Sequence, residues 1–142
     1  MDKYDIRIAE LRLRNFRNVR NGSFSMPSFL HSSPAPDILG IYGQNGSGKS
    51  AAIEALGLMQ RIMTGEELPG KSYDYINIDS DSAVLSLSFS IEDDDGNRIS
   101  LVRYEFEIRN DKGSAAIASE SLYRKDAGKR EKLLLSFSRR DR

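Results

Sequence analysis

The sequence predicts an α/β chain: a strand, a glycine-rich turn and a helix in the first half, with an antiparallel β-meander layer in the second. Three observations carry this. Residues 38–42, Ile-Leu-Gly-Ile-Tyr, form a short unbroken apolar run that ends in a turn holding Gly43, Gly46 and Gly48. Ile53, Leu56, Met59 and Met63 then recur at helical spacing. From Leu85 onward apolar and polar residues alternate, and turn residues punctuate the alternation.

Taken in order, residues 5–14 place Ile6, Ile8, Leu11 and Leu13 at nearly period two, with a slip at Ala9-Glu10 that predicts a bulged amphipathic strand. A short segment follows around Gly22–Met26. Pro27 to Pro36 reads as a loop, rich in serine and proline and containing His31. The run Ile38–Tyr42 suits a buried strand covered on both faces. A helix should start at the glycine turn and run to about Thr64, where Gly65 and then Pro69-Gly70 stop it. Residues 83–91 and 99–109 predict two strands around the turn Asp94-Asp95-Gly96-Asn97, the second with a slip at Val102. Residues 115–124 and 131–138 predict two more, giving a meander with one wet face.

With 142 residues, the chain is expected to form a single domain, with 1–70 as the part bearing the glycine turn and 71–142 as the antiparallel part. Lys plus Arg and Asp plus Glu are both 21, so bulk positive charge does not recruit nucleic acid. There is no cysteine, which excludes disulfides, thiol catalysis and Cys-ligated metals. A single histidine excludes multi-His metal sites and argues against a Ser-His-Asp hydrolase. No apolar run reaches the roughly 20 residues that span a bilayer, and the first residues lack an apolar signal region. No membrane association is expected, and the expected location is the cytoplasm.

Gly43-Gln44-Asn45-Gly46-Ser47-Gly48-Lys49-Ser50 matches G-x-x-x-x-G-K-[ST], the Walker A or P-loop pattern, in full. Its glycines let the backbone turn tightly and aim several N–H groups into one concavity. The helix N-terminus adds partial positive charge. Lys49 is the candidate catalytic residue, reaching the β- and γ-phosphates, and the Ser50 hydroxyl is the candidate ligand of Mg²⁺. Gly43, Gly46, Ser47 and Gly48 complete the cradle. The fold expected from this motif is a P-loop NTPase core fragment. A rival dinucleotide fingerprint over residues 46–51 meets only its relaxed form, and no strand ending in an acidic residue follows at ribose-binding distance.

Leu13-Arg14-Asn15-Phe16-Arg17-Asn18, followed by the motif at 43–50, resembles the ABC-type ATPase heads of the chromosome-maintenance and DNA-repair branch. That branch includes SMC-like and RecF-like proteins and the OLD-type and related AAA-family ATPases of phage defence. The resemblance covers residues 6–64 well; residues 82–138 match only in kind. It implies ATP and Mg²⁺ as cofactors and Arg17 near the phosphates. It also implies Asn45 as a backbone contact and the Ala51 amide facing the α-phosphate. A second ATPase head, as a homodimer of the full-length chain, is the implied partner, with DNA contact possible through the complete protein.

Such heads finish their site with a Q-loop glutamine, a signature and a Walker B Asp-Glu pair. The only glutamines are Gln44 and Gln60, and no signature is present. Ser88–Asp93 imitates Walker B, but its alternation and the following Asp-Asp-Gly mark a strand and hairpin turn. The expected reading is the N-terminal lobe of a longer ATPase, truncated at its C-terminus and inactive as 142 residues. The alternative is a non-hydrolysing nucleotide-binding interaction module. A P-loop kinase is disfavoured by the meander, which stands where a helical half with an Arg-rich lid is needed. Arg12, Arg14, Arg17 and Arg20 form a basic stripe whose plainer reading is a solvated strand face.

Overall fold

The computed structural model describes residues 3–30, 38–44, 46–71 and 74–139. Among the described residues, six strands form one antiparallel sheet: β1 (Asp5–Phe16), β2 (Val19–Ser25), β3 (Ser82–Glu92), β4 (Arg98–Asp111), β5 (Ser114–Asp126) and β6 (Lys132–Ser138). Their spatial order is β2-β1-β3-β4-β5-β6. The four-strand meander is therefore extended by the N-terminal hairpin, and the parts 1–70 and 71–142 share one sheet through the β1–β3 pair. Two α-helices among the described residues accompany it, the short α1 (Pro27–Leu30) and the longer α2 (Lys49–Met63). No helix among the described residues is long and apolar enough to cross a membrane.

The slip at Ala9-Glu10 is a bulge: the β1–β3 register shifts between Ile8 and Glu10, and the Ala9 carbonyl accepts the Met26 N–H at 2.8 Å. The slip expected at Val102 is absent. Pairing runs unbroken through Val102 on both sides, and the shift falls at Glu107/Ile108 instead, leaving Ala118 as the extra residue. Pro27 opens a helical turn where a loop is expected, since proline suits the first helical position. His31 and the rest of that segment lie outside the described residues.

The core is the apolar face of β1, β3 and β4 covered by α2. Leu11, Leu13, Phe16, Leu85, Leu87, Phe106 and Ile108 meet Ala51, Ala55, Leu58 and Met59. This corrects the expected helix face. Met59 is fully buried, but Ile53 is 62% exposed and Met63 is also exposed. The small side chains of Ala51 and Ala55 let the helix approach the sheet closely, so the i, i+4, i+7, i+8 row points inward and the Ile53 row points away.

Two further expectations fail. Residues 38–42 make no strand, and Ile38 and Tyr42 are 84% and 92% exposed. A strand buried on both faces needs neighbours to pair with it, and every described strand of the sheet is paired antiparallel with another. The expected strand–P-loop–helix unit is thus a segment, a loop and a helix beside an antiparallel sheet. The polar face of the meander is also not wet throughout. Ser86, Ser88 and Ser90 of β3 are buried although they face away from α2. Arg12 and Glu105 flank Ser86 across the sheet, and Glu10 and Arg103 flank Ser88. Long charged side chains on both neighbouring strands shade the small hydroxyls. Strand β6, by contrast, is exposed along its whole length.

On the apolar face the Tyr104 hydroxyl donates to Glu120 Oε1, and burial together with that carboxylate pushes the phenol well above its ordinary value of 10.0. The folded state keeps a proton that the unfolded chain releases near pH 10. Its stabilising contribution is complete below that pH and is lost as pH rises through the folded-state pKa. Tyr104→Phe is expected to lower stability by about 1 kcal/mol at neutral pH and to flatten the alkaline decline. Urea unfolding between pH 8 and 11 checks both; parallel pH profiles for the two chains would contradict the assignment.

Candidate functional site

The glycine-rich loop runs into α2 without a side-chain cap. Gly48 is the N-cap, in left-handed backbone at φ 99, and the first turn contains no acidic residue. The first helical bond runs from the Ala52 N–H to the Gly48 carbonyl at 3.1 Å. Helix geometry therefore gives the amides of Lys49, Ser50 and Ala51 no intrahelical acceptor. An uncapped positive end with no carboxylate beside it is suited to an anion.

Glycine is required here by space as well as by backbone. A Cβ on Gly43 would stand 2.6 Å from Ser47 Oγ, and one on Gly48 would stand 2.9 Å from Val19 Cγ2. Gly46 has φ 85. The Ser47 amide donates to the Gln44 carbonyl at 3.1 Å, so it holds the loop's own turn. Lys49 is half-buried, and its Nζ donates to the Gly43 carbonyl, which folds the side chain back over the loop. The Ser50 hydroxyl belongs to an exposed residue, while the Ala51 side chain is in the core and leaves only its backbone for a ligand. Asn45 lies outside the described residues.

Arg17 reaches this region from the β1–β2 turn. Its Nη1 lies 2.6 Å from Glu54 Oε2 on α2. Next to it, Asn18 Nδ2 donates to the Gly46 carbonyl at 2.8 Å. Asn18, Val19 and Glu54 are site neighbours that the motif does not name. Nothing in local spacing signals a contact between residues 28 positions apart; Glu54 alone was foreseeable, as the residue one turn beyond Ser50. A cavity of about 310 Å³ opens beside the loop, with Leu13, Val19, Phe24, Tyr42, Gly48 and Lys49 among its walls. A larger open recess of about 1110 Å³, between the β4–β5 turn and the end of β6, contains none of these groups.

The basic stripe is mostly neutralised. Arg12 pairs with Glu10, Arg17 with Glu54 and Arg20 with Asp79. The Walker B look-alike is structural, as its turn residues imply. Glu92 is buried 3.5 Å from Arg7, and Asp93 Oδ1 accepts the Asp95 and Asn97 amides. No group of three or more potential metal-binding His, Cys, Asp or Glu occurs among the described residues.

Gly48→Ala is expected to cost about 1–2 kcal/mol, because an L side chain resists left-handed backbone and the new methyl meets Val19. Adding Val19→Ala should recover part of that loss. Thermal unfolding of the single and double variants measures it; a Gly48→Ala chain as stable as the parent would remove the steric account.

No curated protein matches the chain. The model of the AAA domain family matches residues 10–141, nearly the whole length and including both the β1–β2 turn and the glycine loop. The chain belongs to the AAA domain family, whose membership supports nucleotide binding of the ATPase kind.

Proposed function

We propose that the chain binds MgATP at the Walker A loop Gly43–Ser50, as the P-loop lobe of an ABC-type ATPase head of the DNA-repair, chromosome-maintenance or phage-defence kind. One observation carries the reading: the complete motif sits at the uncapped N-terminus of a packed helix, with no carboxylate in the first turn. In this reading the loop and first-turn amides at Gly46, Gly48, Lys49, Ser50 and Ala51 surround the phosphates, and Asn45 adds a backbone contact. Gly43 keeps the loop free of a Cβ against Ser47. Lys49 leaves the Gly43 carbonyl for the β- and γ-phosphates, a charge-assisted bond in place of a neutral acceptor. The hydroxyl of Ser50 would hold Mg²⁺, which supplies charge neutralisation at the phosphate oxygens. Arg17 adds a second cation from the sheet side. A second head facing this one, and DNA contact by the assembled protein, belong to the same proposal.

The binding step is tested by calorimetric titration of MgATP into the 142-residue chain and into its Lys49→Ala variant. The parent should bind, and the variant should lose roughly ten- to a hundredfold in affinity, the value of a charge-assisted hydrogen bond. Equal affinities would remove Lys49 from the site.

A second reading, binding without turnover, is favoured by the fate of the acidic residues. Glu92 and Asp93 are engaged in the sheet and its turn, and Glu54 is paired with Arg17. None of these three stands free to activate a water. Phosphate release from MgATP by this chain alone should therefore stay at the background of the Lys49→Ala variant. Sustained release that Lys49→Ala abolishes would show that the chain holds its own catalytic base.

A further inference from the structure

The β1–β2 turn is held far more tightly than a surface hairpin requires. Asn15 and Arg17 both occupy left-handed backbone at φ 53, a conformation uncommon outside glycine. Such backbone persists only where the surroundings over-determine it. Here they do. The Arg17 N–H donates to the Tyr75 carbonyl at 2.9 Å, the Asn77 N–H donates to the Asn15 carbonyl at 2.8 Å, and Asn77 Nδ2 donates to the Arg17 carbonyl at 2.8 Å. On its other side the turn is tied to the glycine loop through Asn18 and the Gly46 carbonyl.

The side chain presented by this clamp is Arg17, and its guanidinium ends on Glu54 at 2.6 Å. Both side chains are 43% exposed, and pairs so exposed add little to stability. Their position says more. Ser50 and Glu54 are four residues apart on α2, so they share one face, one turn from each other. Glu54 thus anchors the guanidinium beside the helix face that carries Ser50. The pair uses one nitrogen of a group with five N–H donors, so the remaining donors suit the oxygens of a phosphate.

We propose that Glu54 is a positioning residue: its carboxylate holds Arg17 one helical turn from Ser50, oriented to meet the phosphates of a bound nucleoside triphosphate. This rests on the nucleotide reading given above. Without Glu54, the long Arg17 side chain must be ordered by the ligand itself, and affinity falls by the cost of that ordering.

The test is a double-variant cycle read by MgATP calorimetry on the 142-residue chain, with Glu54→Ala, Arg17→Ala and the two together. Glu54→Ala should weaken binding about fivefold, the scale of immobilising one long side chain, and should change nothing further once Arg17 is alanine. Glu54→Gln, which keeps a hydrogen-bond acceptor of the same size, should recover part of the loss. Equal losses in both backgrounds would show a merely structural role, and unchanged or tighter binding in Glu54→Ala would refute positioning; either overturns the proposal. Thermal midpoints verify that each variant is folded. If the parent fails to bind MgATP, or Lys49→Ala binds as the parent does, the nucleotide reading falls and takes this inference with it. Normal behaviour of both with no Arg17–Glu54 coupling sinks the inference alone.

Discussion

The close seating of α2 on the sheet is the contact on which the rest of the structure depends. Ala51 and Ala55 present almost no side chain, so Leu58 and Met59 can join Leu11, Leu13, Leu85 and Phe106 in one buried cluster. The first turn of that same helix carries Lys49 and Ser50. Apolar packing on one side of α2 therefore sets where its polar, uncapped end lies. A bulkier residue at Ala51 or Ala55 would lift the helix and with it the loop.

The β1–β2 turn links the sheet to this helix from a second direction. Its backbone is held by residues 75–77, its Asn18 side chain by the Gly46 carbonyl, and its Arg17 side chain by Glu54. Val19 sits where a Cβ on Gly48 would need to be. Sheet, loop and helix thus meet at a few small or polar groups. Elsewhere the charges serve the sheet. Arg7, Arg103 and Arg109 pair with Glu92, Glu105 and Glu107 and shade the serines of β3. Arg103 also lies 4.0 Å from the Tyr123 ring centre, a cation–π contact, and the hydrogen bond to Glu131 holds its pKa above the ordinary guanidinium value.

The apolar surface is uneven. Ile38, Ile41, Tyr42, Ile53 and Met63 are all exposed, as are Leu133, Leu134, Leu135 and Phe137 on β6. The first group lies on the segment before the glycine loop and on α2; the second lies on the outer strand of the sheet. Both are regions where the described residues place no second layer, in contrast to the centre of β1 and β3, one face of which α2 covers.

Local chemistry alone carried much of this. Period-two alternation located the strands of the meander to within a few residues, the Ala9-Glu10 slip located a bulge, and Asp-Gly chemistry located the turn after β3, because each depends on neighbours along the chain. The glycine motif likewise marked Gly43–Ser50 without reference to the fold. Three things were decided only in three dimensions. Which row of α2 faces inward depended on how closely the helix could approach the sheet, and two alanines outweighed Ile53 and Met63. Whether Ile38–Tyr42 became a strand depended on partners, since an extended segment gains its hydrogen bonds only from a neighbour. The meeting of Arg17 with Glu54 and of Asn18 with Gly46 joined residues far apart in sequence. Their approach is set by the β1–β3 pairing and the α2 packing together, and no pattern within either segment encodes it.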